Sequence, residues 1–241
     1  MNFLAHSVVL PLGTGPLARV GSALPDLWPL LSPRPLPALV LRVLREGGDL
    51  RHAELAYGIA HHMQADACFH TLDEFNRRVG WLAGQLRSRW PGLQQVAFYA
   101  HALVEMLLDR WLMERDPRPL EQYYQAFTPE IFAFVAEHAV NQPGQSPALL
   151  AVLEGFAASQ FLRSYVTAEG LAKRFLGLTR SLPWPSEWQD CQVDELAEAV
   201  AKWHEGLGPG SGELIETVRV AVMVRHPWVF PLEQQREATE P

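Results

Sequence analysis

Apolar residues recur at spacings of three and four positions through most of this chain, whereas alternating apolar and polar runs bounded by tight turns are scarce. A spacing of three and four places apolar side chains on one face of an α-helix, so the pattern predicts an all-α protein. The predicted helices cover residues 36–46, 50–70, 71–90, 93–114, 129–140, 147–162, 167–179, 193–207 and 213–225.

Helix-breaking residues set the predicted boundaries. Thr71 with Glu74 three positions later is a capping-box signature and predicts a helix start, and Pro91-Gly92 predicts its end. Loops are predicted where prolines cluster, at positions 25, 29, 33, 35 and 37 and again within 181–189. The run GLGPGSG at 206–212 is the clearest candidate for a flexible linker, but only one short helix follows it. We therefore expect one multi-helix domain over residues 1–230 and a polar tail over 231–241.

The composition narrows the class of protein. With 241 residues, 48% of them hydrophobic, the chain can bury a substantial core. A formal net charge of −7 gives no general attraction to nucleic acid or anionic lipid, so neither is an expected partner. Two cysteines without a CxxC pair fit a reducing compartment. No basic segment precedes the apolar N-terminus, and no apolar run is long enough to cross a bilayer, so a soluble cytoplasmic protein is expected.

The chain twice places three candidate metal ligands four positions apart: His62, Asp66 and His70, then His101, Glu105 and Asp109. On a helix this spacing keeps the three side chains on one face, drifting by ~40° per step. Two such faces packed together could hold one or two metal ions. Imidazole with carboxylate suits Zn²⁺, Mn²⁺ or Fe, and Mg²⁺ less well because it prefers oxygen ligands.

Each triplet also has a purely structural interpretation. The first could be a solvated polar face. In the second, Glu105 could pair with Arg110, or Asp109 with Arg77, as a buried salt bridge. Two further candidates lie near the N-terminus: His6, and Asp26, which follows Pro25 and could equally be an ordinary turn or N-cap residue.

Four segments together resemble the acyl carrier protein phosphodiesterase family: MNFLAH at the start, GSALPD at 21–26, GIAHHMQAD at 58–66 and LLDRWL at 107–112. The resemblance covers roughly the first half of the chain. It implies an all-helical fold distantly like the HD-type metal phosphohydrolases, and hydrolysis of the phosphodiester that joins phosphopantetheine to a carrier-protein serine. The family pattern carries over onto His6, Asp26, His62, Asp66 and Asp109. A broader likeness to zinc-dependent phospholipase C also implies phosphodiester chemistry.

These observations define a hypothesis of metal-dependent phosphodiester hydrolysis. A bound divalent ion would activate water at neutral pH. The expected metal ligands are His6, His62, Asp66, His101 and Asp109, with Asp26 as ligand or general base and Asp66 as the second catalytic carboxylate. His70 and Glu105 would bind a second metal or orient the first ligands, and Arg77, Arg78 or Arg110 would neutralise phosphate charge.

Two alternatives stay open at this point. The substrate could be a nucleotide or a phospholipid head group instead of acyl carrier protein. The chain could also be a non-catalytic helical protein, in a homodimer, whose polar residues form only buried ion pairs. Departures from the family pattern at Phe69, His70 and Arg110 favour that second alternative.

Overall fold

Helices form nearly all the regular structure in the computed structural model, which describes residues 1–180, 188 and 191–225. Within those residues there is no β-strand, so the all-α prediction is confirmed. The helices are α1 (Phe3–Val9), α2 (Pro16–Gly21), α3 (Leu24–Leu27), α4 (Pro37–Gly47), α5 (Leu50–Phe69), α6 (Asp73–Arg89), α7 (Val96–Arg115), α8 (Arg118–Gln125), α9 (Pro129–His138), α10 (Ser146–Ser159), α11 (Ala168–Arg180), α12 (Val193–Leu207) and α13 (Ser211–Arg225), with short 3₁₀ turns at Trp28–Leu30, Pro143–Gln145 and Phe161–Val166.

The long periodic segments fold as predicted, but the region before residue 31 does not form the expected loop. Pro16 and Pro25 occupy the first turns of α2 and α3, where a missing backbone N–H costs no intrahelical hydrogen bond. Prolines in this segment therefore start helices as well as end them. The predicted loop at 181–189, apart from Trp188, and the tail at 231–241 lie outside the described residues.

The predicted capping box at Thr71 is wrong. The α6 helix begins at Asp73 with Leu72 as its N-cap, and no side chain caps it. The Thr71 hydroxyl donates instead to the Cys68 carbonyl at the end of α5, 2.8 Å away. This local bond competes with the capping geometry. Asp73 and Glu74 lie in the first turn, where their negative charges interact favourably with the positive end of the helix dipole.

Helices α5 and α7 lie at the centre of the fold. The α5 helix packs against α2, α4 and α13, while α7 packs against α6, α1 and α12. One large cluster of buried apolar side chains joins them, including Leu55, Phe69, Leu103 and Leu107. These two helices carry both predicted ligand triplets, so the polar candidates lie next to the apolar core. The side chains of His70 and His101 remain partly exposed.

Glycines allow α2 and α5 to approach closely. A Cβ atom on Gly58 would lie 2.1 Å from the Ala18 carbonyl oxygen, and one on Gly21 would lie 2.7 Å from the Leu55 carbonyl oxygen. Both distances are shorter than any real Cβ contact. Only glycine at these positions lets the two backbones touch, one turn before His62 on α5.

The 206–212 segment is a tight turn and not the predicted flexible linker. Only three residues separate α12 from α13, and α13 packs back on α5 and α1. The Arg78 side chain is 6% exposed and donates to the carbonyls of Leu207 and Pro209, both at 2.7 Å, and to the Ser211 hydroxyl at 2.8 Å. These bonds satisfy carbonyls at the end of α12.

Two further observations bear on the sequence expectations. None of the helices described is both long and apolar enough to cross a membrane. Cys68 and Cys191 are both free thiols.

Candidate metal centre

His6, His62 and Asp66 converge at the centre of the fold, with one potential ligand atom of each within 4.8 Å of the others. His6 comes from α1, while His62 and Asp66 are one turn apart on α5. The Nε2 atom of His6 lies 3.1 Å from Asp66 Oδ1, and Nε2 of His62 lies 3.6 Å from Asp66 Oδ2. The two imidazole rings stack with their centroids 3.6 Å apart. We call these three residues the Asp66 group.

A backbone carbonyl fixes the orientation of His62. Its Nδ1 lies 2.7 Å from the carbonyl oxygen of Ser22, directly after α2. Because a carbonyl only accepts, Nδ1 must carry the proton and donate it. The other nitrogen, Nε2, is then directed at Asp66 and at Asp26, whose Oδ1 is 3.7 Å away in the first turn of α3. Metal-binding histidines typically have this arrangement.

The electrostatics of this group depend on burial and on close opposite charges. Burial opposes ionisation of Asp66, but its close contacts with His6 and His62 hold its pKa far below the usual range. Burial alone would lower the pKa of His62, yet Asp66 and Asp26 raise it overall. For His6, burial and the neighbouring His62 charge lower the pKa to about 3, so His6 is neutral at physiological pH. Burial raises the pKa of Asp26 to about 6.

His6 has unused ligand capacity. Its side chain is fully buried, and neither ring nitrogen makes a geometrically satisfactory hydrogen bond within the described part of the chain. A buried polar atom without a partner costs roughly 1–3 kcal/mol. A cation between His6, His62 and Asp66 would satisfy the Nε2 lone pair. The residues present therefore fit a divalent metal with mixed nitrogen and oxygen ligands.

A second set of ligands lies on the neighbouring helices. His70, His101 and Glu105 also place one ligand atom each within 4.8 Å of the others, and we call them the Glu105 group. Nε2 of His70 and Nε2 of His101 lie 3.1 Å and 3.0 Å from Glu105 Oε1. The two histidine side chains are 36% and 40% exposed, so this group is more open to solvent than the Asp66 group.

The α-amino nitrogen of Met1 lies between the two groups, 2.7 Å from Asp66 Oδ1 and 2.9 Å from Glu105 Oε1. Burial alone would lower the pKa of this amine, but the charges of Glu105 and Asp66 raise it overall. Burial opposes ionisation of Glu105, yet the Met1 ammonium, His101 and His70 hold the pKa of Glu105 below its usual range. One cation thus forms ion pairs with both carboxylates.

The structure places Asp109 apart from both groups. Its carboxylate is fully buried and accepts hydrogen bonds from the backbone N–H of Ala5 at 2.8 Å and of Leu4 at 3.3 Å, in the first turn of α1. Burial raises the pKa of Asp109 to about 7. Asp109 therefore anchors the helix that carries His6, and its contacts here are with backbone N–H groups and not with the other predicted ligands.

The structural ion pairs considered from sequence do not form. Arg110 pairs with Glu114, and Arg77 pairs with Glu74. Arg78 is buried against the α12–α13 turn, so its predicted contact with phosphate is wrong. Sequence reasoning also missed the Ser22 carbonyl, although the glycines that bring it close to His62 were present in two of the quoted segments.

The fold and site define an all-helical protein with two His/carboxylate groups that could hold metal ions. Comparisons with protein families, with curated proteins and with solved structures return no match.

Proposed function

We propose that this protein is a divalent-metal-dependent phosphodiester hydrolase in which His6, His62 and Asp66 hold the ion. The hydrogen bond from His62 to the Ser22 carbonyl is the observation that carries this proposal, because it directs Nε2 of His62 at Asp66 and Asp26. Two imidazole nitrogens with a carboxylate suit Zn²⁺, Mn²⁺ or Fe better than Mg²⁺.

A bound divalent ion supplies a water of lowered pKa and polarises a phosphoryl oxygen. The chain's own residues supply the rest. Asp66 is ionised and contacts Nε2 of both histidines, so it positions both rings around the ion. Asp26, with its pKa raised to about 6, accepts a proton efficiently near neutral pH, and we assign it as the general base.

The phosphodiester class is supported by the resemblance of four sequence segments to acyl carrier protein phosphodiesterases. Three of those segments contribute His6, Asp26, and His62 with Asp66, which meet in space. We therefore propose phosphopantetheine attached to a carrier protein as the first substrate to test, with a nucleotide or phospholipid head group as alternatives. Two free cysteines favour the cytoplasm as its location.

Metal binding is the first test. The protein is purified with a removable C-terminal tag, stripped with chelator, and titrated with Zn²⁺, Mn²⁺ and Fe²⁺ while bound metal and melting temperature are measured. Wild type should bind at least one ion and melt at a higher temperature, and His62→Ala should lose that ion. His138→Ala is the matched control, because His138 belongs to neither group. Less than about a tenth of an equivalent bound, with no thermal shift, overturns the proposal.

Substrate hydrolysis is the second test. Holo carrier protein and bis(nitrophenyl) phosphate are incubated with metal-loaded protein, and released phosphopantetheine or nitrophenol is quantified. Asp26→Asn should lower kcat by about a hundredfold while keeping the metal, as expected for a general base. If bis(nitrophenyl) phosphate is cleaved but holo carrier protein is not, the nucleotide and phospholipid alternatives are favoured.

The Met1 amine favours one competing function. Its positive charge already pairs with Asp66 and Glu105, as in a buried structural ion pair. A non-catalytic helical protein would need no more than this. Failure to bind metal in the first test is the result expected for that alternative.

A further inference from the structure

A pocket of about 480 Å³ opens beside the Glu105 group, between α1, α7, α11 and the 3₁₀ turn at Phe161–Val166. This volume lies within the range of roughly 300–1,000 Å³ typical of small-molecule sites. Its wall includes Asn2, Phe3, Glu105, Phe161, Tyr165 and Arg174. We call it the Glu105 pocket.

The pocket wall contains side chains of both charges. Glu105 belongs to the wall, and its carboxylate contacts His70, His101 and the Met1 amine. Lys173 and Arg174, which are adjacent on α11, belong to the same wall. The pocket therefore combines a member of a candidate metal group with two cationic side chains.

Arg174 is held in place without a carboxylate partner. Its guanidinium carbon lies 5.5 Å from the Phe161 ring centroid, a cation–π distance, and Nε lies 3.4 Å from the Ser164 hydroxyl. Among the described residues no acidic side chain lies within ion-pair distance of Arg174, whereas Lys173 pairs with Glu169. An oriented arginine without an acidic partner in a pocket is suited to an anionic ligand group.

Part of the pocket wall is aromatic. Phe3 packs edge-on against Phe161 with centroids 5.7 Å apart, and Phe161 packs in the same way against Tyr165 at 6.0 Å. Edge-to-face contacts of this kind stabilise the arrangement of the rings, which form an apolar part of the wall. Such a wall suits an aromatic or acyl arm and not a fully hydrated ligand.

We propose that the Glu105 pocket binds an amphipathic anion, with its apolar arm against Phe3, Phe161 and Tyr165 and its anionic group on Arg174. Only the identification of this ligand as substrate rests on the proposed function. If that function holds, a phosphoester whose apolar arm carries a second anionic group fits the pocket better than phosphopantetheine, whose arm ends in a neutral thiol. Binding by itself requires no metal.

The test uses chelator-treated protein and the fluorescent aromatic anion anilinonaphthalene sulfonate. Wild type should bind the dye saturably, and phenyl phosphate should displace it, whereas phenol at the same concentration should not. Arg174→Gln should weaken dye binding by roughly fivefold or more. Arg180→Gln is the matched control, because it removes the same charge from the same helix outside the pocket wall.

A pocket-filling variant separates the pocket from other dye sites. A Cβ atom on Gly177, which lines the pocket, would have no neighbour within 4 Å, so Gly177→Phe should fold and block the dye. Near-ultraviolet circular dichroism checks that each variant stays folded. Dye binding by Gly177→Phe or Arg174→Gln within twofold of wild type, or displacement by phenol equal to that by phenyl phosphate, overturns the proposal.

The two proposals fail separately in this design. Dye binding that depends on Arg174, in a protein that takes up no metal, supports the pocket and overturns the hydrolase. Metal uptake supports the metal site, and dye binding that is unchanged by Arg174→Gln and Gly177→Phe overturns the pocket proposal.

Discussion

His62 donates from Nδ1 to the backbone carbonyl of Ser22 across 2.7 Å, although the two residues are forty positions apart in the chain. The bond forms because α2 and α5 touch through Gly21 and Gly58. Backbone contact between two helices thus determines which nitrogen of His62 is available to a ligand. The helix packing at Gly58, one turn before His62, therefore determines that Nε2 of His62 faces the candidate metal site.

Gly58→Ala should therefore damage both the fold and the metal site. The new methyl group would lie 2.1 Å from the Ala18 carbonyl oxygen, which is backbone and cannot rotate away. We expect a loss of about 2–4 kcal/mol in the free energy of unfolding, measured by chemical denaturation. The variant should also bind metal more weakly, because Ser22 moves away from His62.

Gly84→Ala is the matched control. Gly84 lies on the exposed face of α6, and a Cβ atom there would have no neighbour within 4 Å. Replacing an exposed helical glycine with alanine should stabilise the protein by up to about 1 kcal/mol. Equal effects of the two substitutions would contradict close helix contact at Gly58.

The sequence was sufficient to predict the helices that carry the site but not the contacts that complete it. Helices α5 and α7 have long, regular apolar periods, and a spacing of four residues places His62 and Asp66 together on any helix. Spacing does not specify the partner helix, however. His70 continues the spacing of His62 and Asp66 on α5, but its side chain contacts Glu105 on α7.

Two other contacts were unpredictable for different physical reasons. The hydrogen-bond acceptor for His62 Nδ1 is a backbone carbonyl. Every residue has a backbone carbonyl, so the residue type does not reveal which one is used. Asp109 fits the ligand spacing of its triplet, yet its carboxylate accepts from the first turn of α1, a helix the apolar pattern did not predict. The resemblance placed Asp109 among the functional residues without revealing which groups it contacts.

Asp109 should make stability depend on pH. Its pKa is raised to about 7 in the folded protein, above the ordinary aspartate value, so the folded state prefers the protonated form. The stability is fully present below the unfolded pKa near 4 and declines as pH rises through 7. Asp109→Asn, which cannot ionise, should gain roughly 2 kcal/mol relative to wild type between pH 5 and pH 8.

Denaturation curves at several pH values measure this difference. Asp109→Ala serves as the comparison, because it leaves the buried N–H groups of Leu4 and Ala5 without an acceptor at every pH. It should lose about 2–4 kcal/mol at pH 5. Because alanine cannot ionise either, this loss relative to wild type should shrink by roughly 2 kcal/mol by pH 8. Parallel stability profiles of wild type and Asp109→Asn would show that Asp109 keeps an ordinary pKa.

Arg78 should be essential for the α12–α13 turn. Arg78→Ala removes the donors to the Leu207 and Pro209 carbonyls and to the Ser211 hydroxyl, so we expect a loss of about 2–4 kcal/mol. Arg77→Ala is the control. Arg77 shares Glu74 as its partner but is exposed, and its removal should change stability by less than about 0.5 kcal/mol. Comparable losses in urea denaturation would rule out the anchoring role of Arg78.

The two ligand groups should bind ions independently and with different affinity. Both histidines of the Asp66 group are buried, and the Ser22 carbonyl orients His62. In the Glu105 group both histidines are partly exposed, and within the described chain neither Nδ1 has a hydrogen bond that would orient its ring. Because such orienting bonds are worth 10–100-fold in affinity, the ion at the Glu105 group should bind about tenfold more weakly and leave first during chelator titration.

Elemental analysis of metal bound after dialysis checks this prediction. His101→Ala should remove only the weakly bound ion, and His62→Ala only the tightly bound one, while His138→Ala should keep both. Loss of all metal in either single variant would mean that the two groups share one ion. That ion would bridge Asp66 and Glu105 in place of the Met1 amine, which lies 2.7 Å from Asp66 and 2.9 Å from Glu105.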